Sequence, residues 1–414
     1  MNFYQYFIVI ALLAKFLVNL LSELLNLRSL QPDLPAEMNG CCDPAQYAKS
    51  QEYTRVRARF GIAASLFDLA VLLAFWFAGG FGWLDHQIRG FQFNSIIAGI
   101  LFVGILSLGD FVLSIPFAVY STFVIEEKFG FNRATPRVFV MDRLKIIGLS
   151  IALGIPLLAI VLWFFQHVGG FAWLYCWAVS ALVVLILQFV APVWIMPLFN
   201  KFTPLPSGLL RDGIFEYAAR VDFRVKDVFV MDGSRRSSKA NAFFTGLGKH
   251  KRIALYDTLI EQQTVPEVIA VLAHEIGHQK MRHVLQGILI GIVHSGILFF
   301  LMSLFLNNRR LFDAFYVEQA SIYGSLLFFG ILYEPLAFIL SILLNAFSRM
   351  HERQADSYAA RTVQDSDALV SALKKLSVGH LSNLTPHPFY VFLQYSHPPL
   401  LQRIERIRKG EGRI

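Results

Sequence analysis

The chain has few charged residues and very little cysteine, and both shortages restrict what it can be. Asp, Glu, Lys and Arg make up 16% of its 414 residues, whereas soluble domains carry about 25%. The composition is 55% hydrophobic and includes 39 phenylalanines, which is typical of a membrane protein. Three cysteines without Cys-x-x-Cys spacing exclude a disulfide framework and a cysteine-based zinc site. We interpret the adjacent Cys41 and Cys42 as reduced rather than lipidated.

The excess of positive charge does not indicate a nucleic-acid-binding protein. The formal net charge is +8, but the Lys and Arg residues lie in loops beside apolar segments rather than in one patch. That distribution is typical of membrane topology. We therefore expect a lipid bilayer as a partner and no nucleic acid.

Seven apolar segments are long enough to cross a bilayer, which requires about 20 residues. They cover residues 3–25, 60–84, 96–125, 146–165, 172–199, 284–306 and 322–347. The first lacks a basic N-terminal region and a small-residue cleavage site, so we predict a retained helix rather than a signal peptide. The length of the third, together with Pro116, predicts a tilted or kinked helix.

The short loops between these spans differ in basic charge, and this difference predicts the orientation. The loops after spans one and three carry five Lys or Arg each, whereas those after spans two, four and six carry one, none and two. The positive-inside rule then places the loops after spans one, three and five, and the C-terminal tail, in the cytosol. Whether the membrane is a bacterial inner membrane or an endoplasmic reticulum stays open.

The same pattern divides the chain into four parts. Residues 1–199 hold spans one to five with their loops, 200–283 a folded polar unit, 284–347 the last two spans, and 348–414 a cytosolic tail. The polar unit has α+β character, because segments 225–230, 241–244 and 252–256 are typical of short strands and surround a turn at 246–249. Thr264-Val-Pro-Glu267 predicts a capping box that opens an amphipathic helix.

That helix contains the sequence His274-Glu275-Ile-Gly-His278. Histidines four positions apart lie on one helical face, so both imidazoles can bind one metal ion. Glu275 follows the first histidine, where its carboxylate can act as general base toward an attacking water. The pattern is that of zinc metallopeptidases. The alternative is an ordinary polar patch on an amphipathic helix.

Catalytic zinc takes three protein ligands, so a third is required. The metzincin pattern is excluded, because Met281 and Val284 occupy the positions that would need glycine and histidine. His283 and His294 are nearby, but we interpret both as packing or interfacial histidines, since one ends a basic stretch and the other lies within a span.

Glu352 is the stronger candidate for the third ligand. It lies 74 positions after His278, but two membrane spans separate them, and a helical hairpin returns to the side from which it left. Asp356 lies one turn later on the same face, where it can accept a hydrogen bond from the free N–H of a ligating histidine. The alternative is a solvated charged face beside Arg349 and Arg353.

These motifs together resemble the integral-membrane zinc metallopeptidases of the CAAX prenyl protease family, the type that processes prenylated pheromone and prelamin. The resemblance covers nearly the whole chain. It is carried by the His-Glu-x-x-His sequence, the Ser-Arg-x-x-Glu-x-x-Ala-Asp helix at 348–356, Asn241-Ala-Phe-Phe, Glu127-Lys-Phe-Gly-Phe-Asn132 and His397-Pro-Pro-Leu-x-x-Arg403.

The resemblance implies a fold and a set of residue roles. The fold is an α-helical multi-pass membrane protein, with seven transmembrane helices enclosing a water-filled chamber and a small α+β zinc metallopeptidase domain on the cytosolic side. One Zn²⁺ per chain would be bound by His274, His278 and Glu352, with Glu275 as general base. Asn241 would lie on an edge strand that holds the substrate backbone.

The same resemblance places His397 and Arg403 near the substrate or the tetrahedral intermediate. An imidazole or guanidinium is a suitable donor to a developing oxyanion. The alternative for His397 is a helix-start turn followed by proline, and for Arg403 an interfacial side chain.

Charged residues within the predicted spans would be costly against lipid. They are Lys15, Asp68, Asp110 and Glu334. They can line the chamber or form ion pairs between spans, and the sequence does not decide between the two.

The function predicted from these observations is a zinc-dependent membrane endopeptidase, similar to proteases that remove the C-terminal tripeptide of prenylated proteins. Its substrate would be a peptide or protein, with a prenylated C-terminal CAAX segment as one candidate. A bacterial protease that clears damaged membrane proteins is an alternative within the same chemistry. Lys280 and Arg282 argue against an intramembrane site-2-type protease, and a metal transporter would need a repeat that the sequence lacks.

Overall fold

The computed structural model of the chain describes residues 2–245 and 252–410. The turn predicted at 246–249 lies outside them. Seven helical segments are long and apolar enough to cross a membrane, with mean hydropathy between 2.0 and 2.5 in their most apolar windows. They are Phe3–Arg28, Pro44–Phe77, Ser95–Glu126, Pro136–His167, Gly169–Phe199, His283–Leu304 and Ile322–Thr362. The seven predicted spans are thus confirmed as helices, but the second ends at Phe77 and the sixth at Leu304, before their predicted ends at residues 84 and 306.

Four of the seven helices in the first half of the chain begin at polar N-caps. The elements are α1 (Phe3–Arg28), α2 (Pro44–Phe77), α3 (Gly80–Gly90), α4 (Ser95–Tyr120), α5 (Pro136–His167), α6 (Ala172–Val190) and α7 (Met196–Phe199). The side chains of Asn2, Asp43, Asn94 and Thr135 each accept a hydrogen bond from the first turn of the helix that follows. Two π-helical turns, Ser121–Glu126 and Ala191–Ile195, continue α4 and α6.

The second half contains the sheet and the remaining helices. In chain order these are β1 (Phe202–Pro204), α8 (Leu209–Arg220), β2 (Asp227–Met231), β3 (Ala242–Thr245), β4 (Arg252–Tyr256), α9 (Asp257–Gln262), α10 (Val265–Lys280), α11 (His283–Leu304), α12 (Arg309–Ala314), α13 (Ile322–Thr362), α14 (Ser366–Gly379), α15 (Pro388–Gln394) and α16 (Leu400–Lys409). Short 3₁₀ turns occupy Ala36–Met38, Gly169–Phe171 and Gly233–Arg235.

An aromatic cluster packs α2 against α13 and the residue that follows α12. Trp76 stacks on Phe315, and Phe315 stacks on Phe328 at a ring-centroid distance of 4.2 Å. The buried indole of Trp76 donates a hydrogen bond to the carbonyl of Ala314 at 2.7 Å. Three chain-remote segments are therefore joined by apolar burial, and the single polar atom of the indole has a partner.

The sheet has the order β1-β2-β4-β3. Strands β2 and β4 are parallel, whereas β1 with β2 and β3 with β4 are antiparallel. The three predicted strands correspond to β2, β3 and β4. Neither β1 nor α8 was predicted from the sequence; β1 has only three residues, too few for an alternating pattern to be detected.

Helix α10 is held between the sheet and the helices of the tail. Its buried residues Leu272, Ala273 and Ile276 belong to one apolar core with Leu255 of β4 and Ala359 of α13. The predicted capping box is present at Thr264 and Glu267, so the start of α10 is defined. A helix packed on several sides presents its remaining polar face in a fixed direction.

Helix α13 continues without interruption from a membrane span into the tail, over 41 residues. This continuity carries Glu352 from the end of the span to the polar unit. Within the span, the side chain of Glu334 pairs with Lys15 of α1, so for these two charges the structure selects ion pairing between spans.

Candidate metal centre and active site

The two histidines of α10 direct their ring nitrogens at the same point. His274 Nε2 and His278 Nε2 lie 3.2 Å apart, and the ring centroids are separated by 4.8 Å. One helical turn separates the residues, as the four-residue spacing requires.

Glu352 of α13 completes a group of three donors. Its Oε2 lies 3.3 Å from His274 Nε2, and its Oε1 lies 3.3 Å from His278 Nε2. One donor atom from each of the three residues lies within 4.8 Å of the other two. Glu352 Oε2 is buried and has no hydrogen-bond partner among the described residues. Two imidazole nitrogens and a carboxylate, with a buried oxygen left unsatisfied, fit a catalytic zinc ion.

A charged pair lies behind His274. Its Nδ1 is 2.9 Å from Asp356 Oδ1, and Arg403 donates two hydrogen bonds to the same carboxylate, at 2.8 and 2.6 Å. Burial lowers the pKa of His274, but the contacts with Asp356 and Glu352 outweigh it and raise that pKa to about 9. The carboxylates therefore favour positive charge at the position where a metal cation would bind.

His278 has a different partner, His283, which was expected from the sequence to be a packing or interfacial residue. His283 Nδ1 lies 3.0 Å from His278 Nδ1. His283 Nε2 lies 2.8 Å from Gln354 Oε1 of α13. His278, His283 and Gln354 belong to α10, α11 and α13, so this contact depends on how the three helices pack.

Six of the predicted site residues line one cavity of about 560 Å³. They are Asn241, His274, Glu275, Glu352, His397 and Arg403. Burial raises the pKa of Glu275, and the neighbouring His274 and His278 act in the opposite direction. A carboxylate with a raised pKa is better suited to accept and return a proton near neutral pH.

His397 enters the cavity from the segment between α15 and α16. Its Nε2 lies 3.3 Å from Glu352 Oε1, and Ser396 Oγ lies 2.9 Å from its Nδ1. Arg349 holds this segment in place, because its guanidinium donates hydrogen bonds to the carbonyls of Val391 and Tyr395.

Arg403 is less accessible to a substrate than the resemblance implied. Its guanidinium is engaged by Asp356 and lies 3.9 Å from Glu352 Oε2. Burial lowers the pKa of Arg403, but Asp356 raises it more, so the side chain remains a cation. The position is suited to orienting Asp356.

Asn241 precedes β3, which lies at the end of the sheet order. The carbonyl of Asn241 accepts a hydrogen bond from Tyr256 N–H at 3.0 Å. His380, which the sequence analysis missed, lines the cavity beside it and accepts a hydrogen bond from Ala240 N–H at 3.1 Å. A strand at the end of a sheet has one side available for an extended peptide.

Two family models together cover almost all of the chain. The model of the CAAX prenyl protease N-terminal region, with five membrane helices, matches residues 23–201, and the model of peptidase family M48 matches residues 204–411. A CAAX prenyl protease 1 homolog of Oryza sativa subsp. japonica is 35% identical over 394 residues, with 92% of each protein covered. CAAX prenyl protease 1 of Saccharomyces cerevisiae is 34% identical, over 90% of this chain and 87% of the relative.

A solved structure agrees with the fold. The crystal structure of S. mikatae Ste24p superimposes with a TM-score of 0.92 at 31% identity and covers 98% of this chain and 99% of its own. Seven apolar helices, a His-His-Glu donor group and these similarities do not favour a transporter. The chain belongs to peptidase family M48, among the CAAX prenyl proteases, and is a multi-pass membrane zinc endopeptidase.

Proposed function

We propose that His274, His278 and Glu352 bind one zinc ion, and that Glu275 is the general base for peptide-bond hydrolysis. The observation that carries this proposal is the convergence of three donor atoms from two chain-remote helices, with a buried unsatisfied carboxylate oxygen. When bound, zinc would supply a Lewis acid that polarises the scissile carbonyl and acidifies a water.

The remaining steps use residues of the chain. A peptide in extended conformation aligns beside β3 near Asn241, so that its scissile bond lies within the cavity. Glu275 accepts a proton from the attacking water and returns it to the nitrogen of the leaving amine. His397 lies beside the donor group and donates a hydrogen bond to the oxygen that gains negative charge.

We assign Arg403 and Asp356 a positioning role. Asp356 lies beside Nδ1 of His274, whereas Nε2 of the same ring faces Glu352. Arg403 holds Asp356 through two hydrogen bonds. Such partners keep a ligating imidazole in the tautomer that binds metal. Arg403 also offsets the negative charge of Asp356, which is buried close to the carboxylate of Glu352.

The substrate that we propose is a protein with a prenylated C-terminal CAAX segment, from which the enzyme removes the terminal tripeptide. Support comes from the relatives, which are named CAAX prenyl protease 1 or its homolog, and from the extent of each chain that is matched. A membrane-embedded enzyme also meets a prenylated substrate where it is concentrated, in the bilayer.

The test is to incubate the purified, zinc-loaded protein with prenylated and unprenylated forms of one CAAX peptide. Release of the tripeptide is followed by mass spectrometry, with a chelator and a Glu275→Gln preparation as controls. We expect chelator-sensitive cleavage of the prenylated peptide only. Equal cleavage of both peptides would contradict the prenyl preference, and cleavage by the Glu275→Gln protein would contradict the mechanism.

We also propose that the site opens to the cytosol, and that residues 1–199, 200–283, 284–347 and 348–414 form the four functional parts. The excess of Lys and Arg in the loops after spans one and three supports this orientation. A cysteine introduced at Ser366, in an otherwise cysteine-free variant, should react with a membrane-impermeant maleimide only after the membrane that encloses the cytosol has been permeabilised. Labelling of intact cells, or labelling only after detergent has dissolved all membranes, would contradict the orientation.

A further inference from the structure

We propose that His283 is a positioning residue that fixes the tautomer and ring orientation of His278. The inference rests on the zinc ligands proposed above. It assigns a function to a buried histidine that follows α10 and that we interpreted from sequence as a packing or interfacial residue. His283 is 5% exposed. It is not one of the described residues that line the active-site cavity. It therefore acts through His278 rather than on the substrate.

The distances describe a directed chain of hydrogen bonds. His278 directs Nε2 at the donor group, 3.3 Å from Glu352 Oε1. A neutral imidazole that binds metal through Nε2 carries its hydrogen on Nδ1. The atom 3.0 Å from this Nδ1 is His283 Nδ1, which must then accept and be unprotonated.

The second nitrogen of His283 agrees with this assignment. A neutral His283 that accepts at Nδ1 carries its hydrogen on Nε2. That nitrogen lies 2.8 Å from Gln354 Oε1, an acceptor. One arrangement of hydrogens therefore satisfies His278, His283 and Gln354 together.

The backbone between α10 and α11 places His283, the first residue of α11, close to α10. Only Met281 and Arg282 separate α10 from α11, and Arg282 has φ 57°, in the left-handed region. A residue with a side chain is strained in this region. This strained turn reverses the chain within two residues, which brings a residue five positions after His278 back to its Nδ1.

A second histidine holds the ring of His283 in place. His351 of α13 stacks on His283 with a centroid distance of 3.9 Å and an interplanar angle of 7°. Its own Nε2 lies 2.8 Å from Gln286 Oε1. Since His351 precedes Glu352, the same helix supplies the third donor and the support for His283.

The two proposed histidine ligands thus have unlike partners, and the difference has an electrostatic consequence. His274 faces a carboxylate, whose charge is offset by Arg403, whereas His278 faces a neutral imidazole. A second carboxylate behind His278 would add uncompensated negative charge around the cation. The neutral partner orients the ligand without reducing the positive charge that makes the metal a Lewis acid.

The test separates hydrogen bonding from packing with two substitutions at one position. His283→Phe keeps a ring that can stack on His351 but offers no acceptor. His283→Asn loses the ring but places an amide oxygen where Nδ1 was. His294→Phe is the matched control, because His294 lies on the same helix and contacts Tyr333 OH instead.

The zinc dissociation constant is measured by competition with a chelator, and the visible spectrum of the cobalt-substituted protein reports ligand geometry. Thermal unfolding of the metal-free proteins reports packing. We expect His283→Phe to weaken zinc binding by about 10- to 100-fold with an altered cobalt spectrum. His283→Asn should retain most of the affinity, and His294→Phe all of it.

Wild-type affinity in His283→Phe, with loss in His283→Asn, would show that His283 only packs. Glu352→Ala is measured in parallel to separate this failure from that of the ligand assignment. If Glu352→Ala loses zinc while His283→Phe does not, only the present inference fails. If Glu352→Ala binds zinc normally, the proposed site itself is wrong.

Discussion

Gly277→Ala should separate α10 and α13, the two helices that carry the proposed zinc ligands. A Cβ at Gly277 would lie 3.1 Å from Ala355 Cα and 3.2 Å from Tyr358 Cβ, on α13. Carbon atoms in ordinary contact lie about 3.5 to 4.0 Å apart. The helices must therefore move apart by several tenths of an ångström, because backbone and Cβ atoms cannot rotate away.

This displacement acts directly on the donors. Gly277 immediately precedes His278, and Ala355 lies three residues after Glu352. Zinc–ligand distances tolerate only about 0.2 Å of error. Overpacking typically costs about 1 to 3 kcal/mol, and alanine recovers about 1 kcal/mol of helix propensity. We expect the free energy of unfolding without metal to fall by about 0 to 2 kcal/mol.

Zinc binding should be affected more strongly than folding, because only the metal requires both helices at a fixed distance. A strain of 1 to 3 kcal/mol that the bound state must bear corresponds to a loss of affinity of about 5- to 150-fold. The assay is chelator competition for zinc, with thermal unfolding of the metal-free protein in parallel.

The control is Gly287→Ala on α11, where an added Cβ would meet nothing within 4 Å. It should leave the zinc affinity unchanged. Wild-type zinc affinity in Gly277→Ala would refute the argument that close packing of α10 against α13 sets the donor geometry.

Further changes test the proposed roles one at a time. Glu275→Gln should retain zinc and lower kcat by about 10²- to 10⁴-fold, and peptidase assays beside metal analysis distinguish this from loss of the ion. Glu352→Ala should lose zinc, and full occupancy by elemental analysis would contradict the ligand assignment. Because the pKa of His274 is raised to about 9, a proton must leave before its nitrogen binds metal. The zinc dissociation constant should therefore fall about tenfold from pH 7 to pH 8, as measured by titration against a chelator of known pH dependence. Asp356→Asn should weaken zinc binding by about 10- to 100-fold and flatten that slope, since the carboxylate that raises the pKa of His274 is gone; an unchanged slope would count against this cause.

Linkage also predicts how pH acts on the metal-free protein. The pKa of His274 is raised in the folded state to about 9, above the ordinary value of about 6.5. Its contribution to stability is complete below the lower value and is lost as pH rises through the higher one. Chelated protein should therefore become less stable between pH 7 and pH 9, as seen in denaturant unfolding. A stability that rises over this interval would contradict the prediction.

Much of the fold and part of the site followed from local sequence patterns. The spans and the strands β2 to β4 were predictable because apolar length and alternation are properties of consecutive residues. Glu352 was reached by counting membrane crossings, since two spans return the chain to one side. The three-residue β1 and the role of His283 were not predicted, because neither has a local pattern.

Local patterns along the chain specify the elements and the chemistry available to them: membrane helices, a small sheet, and a histidine pair with a glutamate on α10. Which of these groups meet depends on how the helices pack. That packing placed Glu352 Oε1 and Oε2 3.3 Å from the two imidazoles, turned Arg403 onto Asp356, and brought His283 to His278. The physical reason is that periodicity and charge are encoded along the chain, whereas hydrogen bonds and metal coordination depend on distances between packed helices, which tenths of an ångström decide.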